Sequence, residues 1–211
     1  MLKLPAIFWL GRKYGRWAAA RMFWSAYYGA CLRLHPACRL GRSLQVSGRM
    51  HWDLDPRGTL EIGESVRINS GPLVNAVGGH RRTIIAVHRG ASLRIGAHTG
   101  LSGCTIVCQE RIEIGAEVFI GGDVLILDSD LHALQAAARR PHDISAVKRA
   151  PVRIGNRAFI GAGSMLLKGV IIGDEAVVGA GSVVTGEVPA GEIWAGNPAR
   201  FVGRVPMQKG T

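Results

Sequence analysis

The sequence predicts an all-β protein wound as a coil of short parallel strands, with a helical arm before it. Large aliphatic residues recur every six positions, Ala, Ser or Val follows four positions after each, and glycine directly follows four of the six. The aliphatic positions are Ile154, Ile160, Leu166, Ile172, Val178 and Val184. The small positions are Ala158, Ser164, Val170, Ala176, Ser182 and Val188. Neither a helix nor simple strand alternation has this period, so the pattern indicates a hexapeptide repeat.

Each hexad is predicted to form one flat side of the coil. Three hexads then close a triangular turn of about eighteen residues, with the large aliphatic side chain pointing inward. Glycines such as Gly155 and Gly173 suit the corners, because glycine has no Cβ to resist unusual dihedral angles or close backbone approach. Stacked coils pair each strand with those above and below, which leaves open edges only at the two ends of the stack.

The positive charge of the chain is concentrated at its start. The 211 residues carry a formal net charge of +11, but residues 1–52 contain nine Lys or Arg and no Asp or Glu. The remaining residues carry 17 basic and 15 acidic side chains. The four cysteines show neither CxxC pairs nor zinc-finger spacing, which favours reduced thiols in a cytosolic protein.

Residues 1–40 form a basic arm rich in aromatic residues, for which we predict one or two short helices weakened by Gly11 and Gly15. Charges interrupt its apolar runs too soon for a bilayer span or a typical signal peptide. Two interpretations remain open: a cap that packs over the open end of the coil, and an interfacial helix that contacts anionic membrane. No nucleic-acid-binding motif accompanies the charge, so nucleic acid is not an expected partner. Its aromatic residues are Phe8, Trp9, Tyr14, Trp17, Phe23, Trp24, Tyr27 and Tyr28.

Residues 41–190 are assigned to the coil, with an inserted loop at 128–150 and a turn-rich tail at 191–211. Weaker hexads begin near Ile62 and Ile68. The register resumes at Ile95, Leu101 and Val107, gains one residue, and continues at Ile114, Ile120 and Ile126. More than twenty residues without a hexad inside a repeat are more often functional than accidental. We therefore expect the loop to project from the coil and to carry part of a site.

Four stretches together resemble the hexapeptide-repeat acyltransferases, in particular sugar and polysaccharide O-acetyltransferases of the maltose/galactoside acetyltransferase type. They are GLSGCTIV, IEIGAEVFIGGDVLILDSDLH, APVRIGNRAFIGAGSMLLKGVIIGDEAVVGAGSVV and AGNPARFVGR. The resemblance implies a left-handed parallel β-helix, a homotrimer, and acetyl-coenzyme A bound between subunits without a metal. It also implies a small sugar or lipid-linked glycan as acceptor, and a cytoplasmic enzyme, at the inner membrane surface if the arm binds lipid.

The proposed chemistry centres on His132. An alcohol needs a base to remove its proton as it attacks a thioester, and histidine titrates in the right range. His132 lies where the last regular strand enters the loop, and it matches the catalytic base of the family. Asp130 or Asp128 is expected to orient the imidazole, since alternate residues of a strand share a face. The family match also makes the backbone N–H of Ala162 the oxyanion donor.

The resemblance further implies which residues hold the two substrates. For coenzyme A, small residues leave room along a groove, Thr185 matches a coenzyme-contacting threonine, and basic side chains meet the phosphates. These coenzyme residues are Gly161, Gly179, Ala180, Ser182, Thr185, Lys168, Arg200 and Arg204. Acceptor contacts are expected from Ser102, Asp128 and Arg139. A basic loop suits a phosphate-bearing sugar; its cations are Arg139, Arg140, Lys148 and Arg149.

Other functions on this fold fit less well. A γ-type carbonic anhydrase needs two histidines close together in one coil, but Ala137 stands five residues after His132. A nucleotidyltransferase needs a further N-terminal nucleotide-binding domain, which residues 1–60 are too few to form. Serine acetyltransferase and amino-sugar N-acyltransferase stay open, because the same base and groove serve both. A non-catalytic scaffold at the membrane surface has no evident use for DSDLH, the loop and AGNPAR together.

Overall fold

The computed structural model describes residues 4–71, 74, 81–139 and 144–206, and the side chains from residue 18 onward. In chain order its elements are α1 (Leu4–Leu34), β1 (Cys38–Leu40), β2 (Gln45–Ser47), β3 (His51–Leu54), β4 (Thr59–Ile62), β5 (Arg67–Asn69), β6 (Ile84–Val87), β7 (Ser92–Ile95), β8 (Gly100–Ser102), β9 (Thr105–Cys108), β10 (Arg111–Ile114), β11 (Phe119–Ile120), β12 (Leu125–Leu127), α2 (Ala136–Arg139), a 3-10 turn (Ile144–Ala146), β13 (Val152–Ile154), β14 (Phe159–Ile160), β15 (Met165–Leu166), β16 (Ile171–Ile172), β17 (Val177–Val178), β18 (Val183–Val184), β19 (Glu187–Val188), β20 (Glu192–Gly196) and β21 (Ala199–Arg204).

The strands form three parallel sheets that are the three walls of a prism. Every third strand falls in the same wall: sheet A runs β1-β4-β7-β10-β13-β16-β19, sheet B runs β2-β5-β8-β11-β14-β17-β20, and sheet C runs β3-β6-β9-β12-β15-β18. An additional strand, β21, pairs antiparallel with β20 at the end of sheet B. This arrangement is a parallel β-helix, as the hexads predict.

The repeat register is confirmed in the C-terminal half of the coil. Ile154 pairs with Ile172, and Ile160 with Val178, so that each turn takes eighteen residues. All twelve hexad positions are buried, which places both the large aliphatic residue and the small residue of each hexad inside the prism. The core is therefore a column of stacked aliphatic side chains. Their removal from water is the main stabilisation here, where strands β13 to β19 are only two or three residues long.

One part of the predicted register is wrong. The inward residue after Leu101 is Ile106, which is buried and pairs with Ile126, whereas Val107 is half-buried. The corner between β8 and β9 is one residue shorter than the regular corner, and the next corner is longer. Thr105 and Val107, at alternate positions with Ile106, both lie on the outer face. A shift of one residue in a strand reverses every side chain, which is why a count of hexads alone misplaced Val107.

The arm is one continuous helix, and the prediction of short helices is wrong. Its second half packs on β1 and β2, with Tyr28 and Leu32 buried in the same core as the first coil. The Tyr28 hydroxyl donates to the Met50 carbonyl oxygen at 2.9 Å and accepts from the Met50 N–H at 3.0 Å. This half of α1 is a cap over the open end of the coil.

The cap makes a testable contribution to stability. We expect Leu32→Ala to lower the free energy of unfolding by about 2–5 kcal/mol, since a fully buried leucine loses its contacts and leaves a cavity. Met22→Ala is the matched control, because Met22 is on the same helix but 70% exposed. This substitution should change the free energy of unfolding by less than ~0.5 kcal/mol. Urea denaturation followed by circular dichroism measures both; equal effects would show that α1 does not cap the coil.

The boundaries of the coil differ slightly from the predicted ones. Sheet A begins at Cys38, inside the range assigned to the arm, and the tail adds the β20–β21 hairpin rather than turns alone. The inserted loop leaves after Leu127 and returns at Val152, and Ser129 and Arg149 bridge its two ends. Among the described residues, no helix is both long and apolar enough to cross a membrane.

Candidate active site

The prism has three edges, where the chain turns from one sheet to the next. The AB edge includes residues 155–158 and 173–176, and the BC edge includes 161–164 and 179–182. The CA edge includes 88–91, 109–110, the inserted loop, 167–170 and 185–186. Residues with the same role in successive coils stack along one edge. The edge on which a predicted site residue lies therefore determines which other residues it can be near.

His132 lies exposed at the CA edge, on a strained turn. Its N–H donates to the carbonyl oxygen of Asp130 at 2.7 Å, which closes a three-residue γ-turn around Leu131. Leu131 has a φ of 60°, an uncommon value for a bulky side chain. Seven other non-glycine residues of the described chain, all at corners of the coil, have φ between 55° and 59°, so the feature particular to Leu131 is its γ-turn at the root of the loop. The turn directs the chain sharply outward where the loop begins, and the imidazole of His132 is left accessible.

The sequence led us to expect that Asp130 pairs with the imidazole of His132. The structure does not show this pair. Asp130 Oδ1 instead accepts a hydrogen bond from Lys168 Nζ at 2.5 Å, and both side chains are largely buried. Lys168 comes from the CA edge of the next coil, so this ion pair ties the root of the loop to the coil. Asp130 Oδ2 is buried and has no hydrogen-bond partner within the described part of the chain. The predicted contact of Lys168 with phosphate would compete with this ion pair.

Asp128 is predicted from the sequence to contact the acceptor substrate, but in the structure it supports the framework of the coil. Its side chain is fully buried, and its two carboxylate oxygens accept hydrogen bonds at 2.8 Å from the N–H groups of Gln109 and Glu110. These bonds pin the preceding coil to the point where the loop leaves. Asp128 therefore holds the framework of the site, and its carboxylate is not exposed to a ligand.

A pocket with a volume of ≈ 490 Å³ opens beside His132. Its size is typical of small-molecule sites. One wall comes from the CA edge of two earlier coils and the other from the loop, including Arg139 as predicted. The lining residues are His88, Arg89, Gln109, Leu131, His132, Ala133, Ala138, Arg139, Ile144, Val147 and Arg149.

Sequence reasoning missed the wall that precedes the loop. His88, interpreted from the sequence as a surface histidine, lines the pocket together with Arg89 and Gln109. These residues could have been found by counting turns of the coil, because a residue about one or two turns before the loop lies on the same edge as the loop. His35, His51 and His98 do lie on the surface or make local contacts, as expected. His80, Arg140 and His142 lie outside the described residues.

The nearby cysteine is not a nucleophile candidate. Burial, reinforced by the negative charge of Asp128, raises the pKa of the Cys108 thiol far above its usual range. The thiolate is the reactive form, so Cys108 is inert at neutral pH. In the described ranges, no cluster of three or more His, Cys, Asp or Glu side chains is placed to hold a metal ion.

The BC edge carries backbone donors that nothing in the described chain accepts. At the AB edge, the Ala116 N–H bonds to Asn156 Oδ1 and the Asn156 N–H bonds to Asp174 Oδ1, so side chains of the next coil satisfy the corner. The equivalent corner positions of the BC edge are Ala162 and Ala180, which offer no such acceptor. Both are at least partly exposed, and no hydrogen bond from either N–H is found among the described residues. Unpaired donors of this kind suit a ligand rich in carbonyl oxygens.

The other predicted residues of this edge have varied positions. A Cβ on Gly161 would lie 2.5 Å from Ala180 N, so glycine is needed there for the coils to stack. Ser182 is buried, and its hydroxyl donates to the Gly179 carbonyl oxygen at 2.6 Å, so its side chain is not available to a ligand as the groove assignment supposed. Ser102 is half-buried where sheet B meets this edge, away from the His132 pocket.

The remaining coenzyme candidates are divided between edges. Thr185 is exposed at the CA edge, two coils beyond the start of the loop. Arg200 pairs with Ala195, near the end of β20 that leads into the BC edge. Arg200 therefore lies beyond Ala180 along that edge, toward the C-terminal end of the coil. Arg204 pairs with Glu192 at the opposite end of the hairpin. Of the two arginines, only Arg200 continues the line of Ala162 and Ala180.

One chain therefore holds two half-sites at different edges. His132, Arg139 and the pocket belong to the CA edge, whereas Ala162 and Ala180 belong to the BC edge. Sheet C separates the two edges, so the imidazole of His132 and the N–H groups of Ala162 and Ala180 lie on different edges of one prism. Ser102, which is predicted to contact the acceptor, lies at the BC edge of the chain, whereas His132 lies at the CA edge.

Comparison with known proteins identifies the repeat. The hexapeptide repeat of succinyl-transferase matches residues 151–186. Nodulation protein L of Rhizobium meliloti is 42% identical over 115 residues, which cover 54% of this chain and 61% of that protein. Residues 151–186 of the chain are a hexapeptide repeat. The bifunctional protein GlmU of Paracoccus denitrificans is also similar, at 29% identity over 146 residues, 69% of this chain and 24% of that protein.

Solved structures agree on the fold of this chain. A maltose O-acetyltransferase from Clostridium difficile 630 matches with a TM-score of 0.55 and 24% identity, covering 85% of this chain and 75% of that chain. A galactoside acetyltransferase in complex with coenzyme A matches with a TM-score of 0.53 and 23% identity, covering 81% and 66%. The fold is the left-handed parallel β-helix. The chain spans less than two thirds of the length of the two similar proteins above.

Proposed function

We propose that this chain is an acyltransferase that transfers an acetyl group from acetyl-coenzyme A to a hydroxyl of a sugar or glycan intermediate. The observation that carries the proposal is the exposed His132 on a strained turn at the mouth of a ligand-sized pocket. The maltose and galactoside enzymes of the same fold are acetyltransferases of sugars by their names, and the galactoside enzyme binds coenzyme A. Chemistry, fold and site point to the same reaction class.

In the proposed mechanism His132 is the general base. The acceptor hydroxyl lies within reach of the imidazole, which takes its proton as the oxygen attacks the thioester carbon. The carbonyl oxygen becomes an oxyanion and accepts a hydrogen bond from the Ala162 N–H, an unpaired donor in the described chain. The C–S bond then breaks, the thiolate takes the proton back from the imidazolium, and the products are an acetate ester and free coenzyme A.

The pantetheine arm of the coenzyme is proposed to lie along the BC edge. Its amides and thioester are carbonyl-rich, and they meet the unpaired N–H groups of Ala162 and Ala180, with no large side chain in the way. Arg200 lies further along the same edge, where its guanidinium suits the phosphates at the far end of the coenzyme. Thr185, at the CA edge, is proposed to contact the coenzyme from a second chain.

The proposed assembly is a homotrimer, because each complete site needs two edges that one prism keeps apart. The CA edge of one subunit would face the BC edge of the next, and three such contacts close a ring. Large apolar side chains flank the BC edge in support of this contact. Phe119 and Phe159 of sheet B are 61% and 47% exposed, and Met165 of sheet C is 44% exposed. A neighbouring subunit would remove them from water.

The arm is proposed to contact an anionic membrane from the cytoplasmic side, in addition to its capping role. Phe23 and Tyr27 are exposed on the same helix as the buried Tyr28 and Leu32, in a segment without acidic residues. We expect replacement of Phe23 and Tyr27 by Ser to lower sedimentation with vesicles of anionic lipid by ~10-fold. Sedimentation equal to that of the unmodified chain would leave only the cap.

The donor is tested first, because this test needs no knowledge of the acceptor. Calorimetric titration of the full chain with acetyl-coenzyme A should show one saturable site per subunit. Thiol release in the presence of a panel of sugars should then exceed the rate without sugar. If neither acetyl-coenzyme A nor coenzyme A binds, the proposed function is wrong.

A further inference from the structure

We propose that the acceptor carries an anionic group, a phosphate or a carboxylate, which the arginines of the His132 pocket bind beside the reacting hydroxyl. This inference rests on the proposed function and extends it to the class of substrate. Arg89 and Arg149 are the residues that it adds to Arg139. Arg89 comes from an earlier coil and Arg149 from the returning end of the loop, so the two approach the pocket from different walls.

The charge of the pocket is unbalanced. Its lining includes three arginines and no Asp or Glu. Within the described residues, none of these three arginines forms an ion pair, whereas Arg153 and Arg157 on the outer coil pair with Glu113 and Glu175.

Several carboxylates lie near the pocket in the fold, and none is among its lining residues. Glu110 follows Gln109 in the chain and is exposed, and Asp128 accepts hydrogen bonds from the N–H groups of both. Asp130, beside His132 in the chain, is paired with Lys168 at 2.5 Å. Asp55 is bound by Arg57 at 3.1 Å. The hydrogen bonds from Arg57, and to a smaller extent the charge of Arg89, lower the pKa of the Asp55 carboxyl. The positive charge of the pocket is therefore available to a ligand.

One of the three arginines is also held in position. Arg139 donates to the carbonyl oxygens of Ala133 and Leu134, at 3.4 and 2.7 Å, through the same guanidinium nitrogen. The rest of its planar fork is left for an acceptor, and guanidinium matches phosphate and carboxylate in a bidentate way. Between the arginines, Leu131, Ile144 and Val147 form apolar walls that suit the C–H face of a sugar ring.

Coenzyme A also carries phosphates, but they do not explain this pocket. The reacting thioester and the phosphate-rich head lie at opposite ends of the extended pantetheine arm. When the thioester is beside His132, the phosphates are far away along the edge. An anion beside His132 therefore belongs to the acceptor.

The test compares matched neutral and anionic sugars on the full chain. Glucose, glucuronate and glucose 1-phosphate serve as probes, with acetyl transfer measured by thiol release. We expect kcat/KM for at least one of the two anionic sugars to exceed that for glucose by ~10-fold or more. In Arg89→Ala and Arg149→Ala, this kcat/KM should fall by about 10- to 100-fold, while KM for acetyl-coenzyme A changes by less than ~2-fold. Arg94→Ala, on the exposed outer face of sheet A, is the matched control.

Binding without turnover separates this inference from the proposed function. Calorimetry with glucuronate and glucose 1-phosphate on His132→Ala reports the pocket even if no acetyl transfer occurs, and weaker binding in the arginine variants supports the inference. The two probes also distinguish a carboxylate from a phosphate. Equal use or binding of glucose and both anionic sugars overturns the inference and leaves the transferase intact. A raised KM for acetyl-coenzyme A in the arginine variants also overturns it, by assigning the arginines to the donor.

Discussion

His132→Ala is expected to lower kcat for acetyl transfer by about 10²- to 10⁴-fold, since a positioned general base contributes this much to catalysis. The dissociation constant of acetyl-coenzyme A should stay within ~2-fold of that of the wild type, because the proposed donor contacts lie at the other edge. Stopped assays of thiol release give kcat, and calorimetry gives the dissociation constant on the same preparation. A loss of turnover with unchanged donor binding separates catalysis from folding.

The control for this substitution is His51→Ala. His51 is exposed on β3 at the start of the coil and contributes nothing to the pocket, so its variant should retain wild-type turnover. His132→Gln is the second variant, because it preserves volume and hydrogen bonding near the strained turn while removing the base. Full turnover in both His132 variants would remove the proposed mechanism.

The sequence was sufficient for the C-terminal half of the coil because period and burial are directly coupled there. Ile154, Ile160 and Leu166 are six residues apart and each begins a corner, so one count predicts sheet, edge and core position together. The same count failed at Val107, where the corner after β8 loses a residue. Corner length depends on backbone geometry, which side-chain periodicity does not report.

The site was only partly predictable, for two physical reasons. The position of His132 follows from the end of the hexads, but its Asp130 neighbour is paired with Lys168, 38 residues away in the chain. Which of several nearby charges a carboxylate binds depends on three-dimensional distances. Arg89 was missed because nothing in its local sequence differs from a surface turn. Only the stacking of coils brings it to the loop.

Mixing two inactive variants is expected to restore activity if each site is shared between subunits. His132→Ala removes the base at the CA edge, and Ala180→Tyr fills the proposed donor groove at the BC edge. In a random mixture of equal amounts, an active site needs an intact CA edge from one chain and an intact BC edge from its neighbour. Each is intact with probability one half, so about a quarter of wild-type activity should return. Co-refolding the two purified variants and measuring thiol release checks this.

The same mixture distinguishes the shared site from a site within one chain. If His132 and Ala180 of the same chain formed a site, every chain in the mixture would carry one defect, and activity would equal the sum of the two variants. Ala190→Tyr introduces the same bulk at an exposed AB corner and should leave activity unchanged, which controls for bulk alone. Ala180→Gln is a milder substitution if the tyrosine variant folds poorly. Restoration by either Ala180 variant requires two chains at each site, since no arrangement within one prism brings the CA and BC edges together.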